Sequence, residues 1–244
     1  STLFPYTTLF RSPYSSRSVH KWLALFVGLQ LLVWAVTGFY MVAIDLDFIH
    51  GDSLVRNLRT PVGSTEAVLP VSQLTSRYPE ITLLSLHSLP VLGEPVYELT
   101  AAGRRVLVDA TNGHQLSPLS SGMIRQLARS YYAGNGQLSA VQLLEHDVPM
   151  EVRGRAAPLW RADFDDWLET TLYLHPDTGA LVARRHRLWR WYDFLWMLHI
   201  MDYGEREAPT GVVPRIATVL GAITVASGVW LLYFSFWPRR TARR

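Results

Sequence analysis

Two long apolar runs frame this chain, and shorter periods alternate between them. The first, Trp22 to Ile44, is 23 residues without a formal charge. His20 and Lys21 precede it, and Asp45 and Asp47 follow. Gln30 is its one strongly polar interior residue, and Thr37 can bond its hydroxyl back to the helix. A buried soluble helix of that length would show a polar stripe, and this one shows none. The pattern predicts a helix over 20–44 that crosses a hydrocarbon core of about 30 Å. The second run, Ile216 to Trp237, predicts another over 214–237. Thr218, Ala222 and Ala226, Thr224 and Gly228, and Gly28 and Gly38 give both runs small residues at which helices pack closely in lipid.

Between the runs a helix-then-strands order occurs twice. Val71 to Tyr78 has helical spacing; Ile81 to Leu86, Val96 to Thr100 and Arg105 to Gly113 are strand-like, the last closing in a turn at Asn112-Gly113. Met123 to Tyr132 is again helical; Leu138 to Leu144, Trp160 to Phe164 and Thr171 to Gly179 are strand-like. Gly113 and Gly179 lie 66 residues apart. Two tandem helix-plus-antiparallel-sheet units, 66–118 and 122–185, follow from that order. Over 186–203, Trp189, Tyr192, Trp196, His199 and Tyr203 share one helical face, and Arg190 and Asp193 interrupt the apolar run. This segment is expected as an interfacial amphipathic helix; a third span there would turn the C-terminal arginines outward. Residues 1–18 have no usable pattern and are expected to be a disordered lead or a non-native remnant.

Charge places the ends. Arg11, Arg17 and Lys21 precede the first run, and Arg239, Arg240, Arg243 and Arg244 form a basic tail over 238–244. Basic flanks on both sides predict that both termini are cytoplasmic and that Asp45 to Val213 is exported. A formal net charge of +3, with many basic residues beside membrane ends, argues for a lipid partner and against nucleic acid. With no cysteine in the chain, disulfides, thiolate nucleophiles, iron–sulfur ligation and covalent c-type haem attachment are excluded. No nucleophile elbow, phosphate loop, dinucleotide fingerprint or zinc-protease motif is present, and no catalytic constellation emerges.

The chain resembles the PepSY-associated transmembrane family. The resemblance rests on His20-Lys21-Trp22 leading into an apolar run with Thr37-Gly38-Phe39, on Leu198-His199, on Gly228-Val-Trp-Leu before a basic tail, and on the turns Asp109 to Gly113 and Pro176 to Gly179. It covers about Ser18 to Arg240 and implies a membrane α plus exported α+β architecture. In that architecture two transmembrane helices flank two PepSY-like units and an interfacial helix in a bacterial inner membrane. It further implies an accessory or electron-transfer subunit in iron or siderophore reduction or a membrane redox chain, with a b-type haem as candidate cofactor. His50 and His199 are the candidate axial pair on the exported side, with Trp196 and Tyr203 as aromatic neighbours; the alternative is that both histidines hydrogen-bond at the headgroup boundary, with Asp52 and Asp202 as close partners. His20 is a further candidate at the cytoplasmic mouth of the first span. Two spans cannot enclose a haem alone, so a homodimer or a partner membrane subunit such as a reductase is implied. The alternative is a membrane-anchored PepSY binding module that holds a protein partner or restrains a protease.

Overall fold

A computed structural model describes residues 13–59, 68–79, 81–89, 94–101 and 103–236. The expected basic tail over 238–244, Trp237 at the end of the second expected span and residues 66–67 at the start of the first repeat lie outside the described residues. The chain divides into a helical unit, residues 1–44 with 192–244, and a mixed unit, 45–191.

The helical unit is built on α1 (Pro13–Ala43) and α6 (Val212–Phe236). Arg17–Ala43 and Val212–Tyr233 are 27 and 22 residues of apolar helix, long enough to cross a bilayer. Their large side chains, among them Trp22, Phe26, Leu29, Phe39, Val219 and Trp230, point outward. A soluble core helix would bury these side chains; here they form apolar surface suited to lipid. The glycines divide by use. A Cβ on Gly228 would stand 3.3 Å from His20 Cε1 and one on Gly38 3.5 Å from His199 Cε1, whereas Gly28 and Gly221 face nothing within 4 Å. The close approach therefore falls at Gly228 and Gly38.

The mixed unit carries α2 (Leu46–His50), α3 (Val71–Arg77), α4 (Ser121–Tyr131) and two antiparallel sheets. One sheet is the meander β1 (Ile81–Leu89), β2 (Glu94–Ala101), β3 (Arg104–Asp109). The other runs β4 (Leu138–Leu144), β5 (Leu159–Phe164), β6 (Thr171–Leu174), β7 (Leu181–Arg185). A helix thus precedes a meander twice. Alternation along the first sheet buries both of its faces. Tyr97, Leu99 and Val108 cluster with Leu74 of α3. Val96 and Leu107 join Ile124 and Leu127 of α4 and Phe164, Leu172 and Leu174 of the second sheet in one core. The turns match as well. Gly113 (φ +71) lies against Arg77 of α3, which donates to its carbonyl at 2.8 Å, and Gly179 (φ +61) lies so close to Leu127 of α4 that a Cβ there would stand 2.5 Å from Leu127 Cδ1.

α5 (Arg187–Ile200) contributes Arg187 to Trp191 to the mixed unit and Tyr192 to Ile200 to the helical one. Its arginines, which composition assigns to a membrane boundary, are engaged inside the mixed unit. Arg187 pairs with Glu169, and Arg190 makes two bonds to Glu151, at 2.6 and 3.2 Å. Glu151 also accepts from the Tyr173 hydroxyl at 2.6 Å. Burial pushes the Glu151 carboxyl up, but the bonds from Arg190 and Tyr173 outweigh it and hold the group below its ordinary value. Just before α5, the fully buried His186 reaches the carbonyls of Phe48 and Ile49 with Nε2, at 3.2 and 3.0 Å, while Nδ1 lies 3.4 Å from the Trp189 backbone N–H. Those partners fix a neutral ring: Nε2–H donates and Nδ1 accepts.

Burial lowers the pKa of His186, His87 and His175. The unfolded chain, with histidines near the ordinary value of about 6.5, therefore binds more protons than the folded one as pH falls through that value. Stability is present above it and declines on acidification. Melting temperature in detergent should be lower at pH 5.5 than at pH 7.5, and His186→Gln should flatten part of that slope; a pH-independent melt contradicts the assignment. At the helix pair, Gly228→Val should cost roughly 1–3 kcal/mol by forcing the His20 ring aside, with Gly221→Ala near neutral. Equal melting losses for the two variants would contradict the packing.

Candidate functional site

The candidate site lies in the helical unit, where two histidines are held in the same way. His199, near the C-terminal end of α5, places Nδ1 2.9 Å from the Thr37 hydroxyl of α1. Thr37 donates its one hydroxyl hydrogen to Val33 O at 2.8 Å, the ordinary back-bond of a helical threonine. With that hydrogen on Val33 O, the Thr37 oxygen is the acceptor and His199 is assigned the Nδ1–H tautomer. Nε2 then presents a lone pair, and no described residue bonds it. Trp34 Nε1 donates to the His199 carbonyl at 2.8 Å and pins the backbone. Trp196 lies nearly parallel to the imidazole, with ring centroids 6.5 Å apart.

His20 repeats the arrangement in α1. Its Nδ1 lies 2.7 Å from the Ser227 hydroxyl of α6, and Ser227 donates its hydrogen to Thr224 O at 2.8 Å. With the Ser227 hydrogen on Thr224 O, His20 is likewise assigned the Nδ1–H tautomer, and its Nε2 has no described partner. The 17 residues of α1 between His20 and Thr37 rise about 25 Å, so the two rings sit toward opposite ends of the helix pair. An imidazole oriented through one nitrogen with the other free is the form in which histidine ligates a metal.

Open space adjoins His199. A cleft of about 700 Å³ is lined by Trp34, His199, Pro209, Pro214, Arg215 and Thr218. A second, of about 630 Å³, shares Trp34 and Thr218 and continues past Gln30 to Gly221 and Ala222. Gln30 Nε2 is buried there without a hydrogen-bond partner. The donor set fits a haem at His199: a lone-pair nitrogen, aromatic and aliphatic walls, and one guanidinium, Arg215, suited to a carboxylate.

His50 has different surroundings. It belongs to the mixed unit, where its ring forms an exposed cluster with Asp47 and Asp52, their ligand atoms all within 4.8 Å of one another. Arg184 pairs with Asp52 and donates to the His50 carbonyl at 2.8 Å. The cluster therefore offers one carboxylate and one imidazole not engaged by that guanidinium, and no described hydrogen bond orients the His50 ring. Asp202, expected beside His199, instead accepts backbone N–H groups of Gly204 and Glu207 at 3.2 and 3.1 Å, bonds that help hold its carboxyl below the ordinary value against the desolvation that raises it.

Sequence reasoning singled out His20 and His199 as candidates but not the hydroxyls they rest on. Thr37 carried a signal, since a helical threonine that donates to its own backbone leaves an acceptor to a neighbouring helix. Ser227 carried one only in its place beside Gly228. Compared with protein families, curated proteins and solved structures, the chain matches none.

Proposed function

We propose that this chain is a PepSY-type inner-membrane subunit that binds b-type haem and serves electron transfer, with iron or siderophore-iron reduction as the substrate class. The observation that carries the reading is the shared state of His199 and His20: Nδ1 is fixed by a hydroxyl of another helix, and Nε2 is free. In this reading α1 and α6 cross the bilayer, both termini are cytoplasmic, and the mixed unit is exported. His199 and His20 would each supply one ligating nitrogen at their own end of the helix pair. Thr37 and Ser227 hold the rings and strengthen the donors, and Arg215 meets a carboxylate. A haem so held supplies one-electron transfer. Each end offers a single imidazole, so a second copy or a partner membrane subunit would complete the site. The unpaired Gln30 amide supports such an association, because an unsatisfied donor in hydrocarbon costs several kcal/mol.

Full-length protein purified in mild detergent from haem-replete cells should show a Soret band, and reduced-minus-oxidised bands of a b-type haem. His199→Ala and His20→Ala should each remove the haem at their own end, while His50→Ala leaves the spectrum intact. Thr37→Val should weaken haem retention at the His199 end about 10- to 100-fold, the usual cost of losing a ligand's orienting partner. If the wild-type protein carries no haem, the redox reading falls and the membrane-anchored binding module takes its place.

A further inference from the structure

Three arginines and His50 meet at a small cleft of the mixed unit, separate from the histidines of the helix pair. The cleft, about 210 Å³, is lined by His50, Arg155, Arg184, Arg185, Trp189 and residues of β7. β7 is the last strand in its sheet's order, so one of its edges has no neighbouring strand among those described. Arg185 lies over the Trp189 ring, 3.9 Å from its centroid, and donates to Glu151 O at 2.6 Å, which fixes the guanidinium beside the opening. Arg184 is held by the His50 carbonyl and Asp52. Arg155, in the loop after the 3-10 turn Met150–Val152, is exposed and its side chain has no hydrogen-bond or ion-pair partner among the described residues.

The charge is unbalanced. Three guanidiniums line the cleft and no carboxylate does. Glu151 is committed to Arg190 and Tyr173, leaving Asp52 to face Arg184 and Asp47 to face His50. Burial pushes the Arg184 pKa down. Forked guanidinium donors match phosphate oxygens, and the volume is below that of an ordinary drug-sized pocket.

We propose that this cleft binds a phosphate group, with Arg155 as the free donor that closes on it and Arg184 and Arg185 as its fixed wall. The phosphate is that of a free anion or of an anionic phospholipid headgroup.

The test is calorimetric titration of the full-length protein, in an uncharged detergent at low salt, with inorganic phosphate and with dihexanoyl phosphatidic acid. At least one probe should bind. Arg155→Ala should weaken it about tenfold, the order expected for one charge-assisted contact. Arg125→Ala, the same charge change on the exposed side of α4, should leave affinity within about twofold. Asp52→Asn, which releases Arg184 from its carboxylate, should tighten binding, a gain that misfolding would not produce. Stronger binding of the lipid identifies a headgroup site, and equal binding identifies a free phosphate site. Binding of neither probe, or equal losses from Arg155→Ala and Arg125→Ala, overturns the proposal. None of these outcomes depends on haem.

Discussion

A hydroxyl has one hydrogen to give, and in a helix of hydrocarbon surroundings the nearest acceptor is its own backbone. Thr37 and Ser227 both give theirs to carbonyls three or four residues back. With the hydrogens so placed, each oxygen accepts and the imidazole resting on it donates from Nδ1. The assigned state of His199 and His20 thus follows from the back-bonding of two hydroxyls in apolar helices. Gly228 leaves room for the His20 ring, which a Cβ would crowd at 3.3 Å, while at Gly38 a Cβ would meet the His199 ring at 3.5 Å, in ordinary contact. Larger residues there would separate the imidazole from its hydroxyl, so helix packing and ligand geometry are one constraint.

The mixed unit solves a different problem, that of seating a helix against a small sheet. Its charged residues do this work in concert. Arg190, Glu151 and Tyr173 join the start of α5 to the second sheet, and His186 joins the same region to α2 through two carbonyls. Exposed pairs of this kind contribute little individually, but the Glu151 group is largely sheltered and shares its oxygens among partners. Arg155 stands outside these networks, which is why it carries the weight of the phosphate proposal.

Much of the framework was legible in the sequence. Uncharged runs without a polar stripe marked α1 and α6, and alternating stretches marked β1 to β6, because burial imposes those periods on the residues themselves. β7 was missed, since Leu181-Val182-Ala183 runs directly into Arg184 and Arg185 and lacks a second alternation. The arginines of 184–190 read as boundary residues because composition cannot show that Glu151, Glu169 and Asp52 await them. At the site, His20 and His199 stood out beside apolar runs. Their partners are 207 and 162 residues away in sequence, a separation that local pattern does not bridge. The pairing of His50 with His199 followed from topology alone, and the surroundings of His50 turn attention to Asp47, Asp52 and Arg184 instead.

The central claim is that both rings are held as Nδ1–H tautomers with Nε2 free to ligate. Nitrogen-15 NMR of histidine-labelled, haem-free protein in detergent reads this directly, since the two ring nitrogens of each tautomer resonate far apart. The account predicts protonated Nδ1 and bare Nε2 for His199 and His20, with Thr37→Val disturbing His199 alone and Ser227→Ala disturbing His20 alone. Nε2–H tautomers at both positions, unchanged by either substitution, would contradict it.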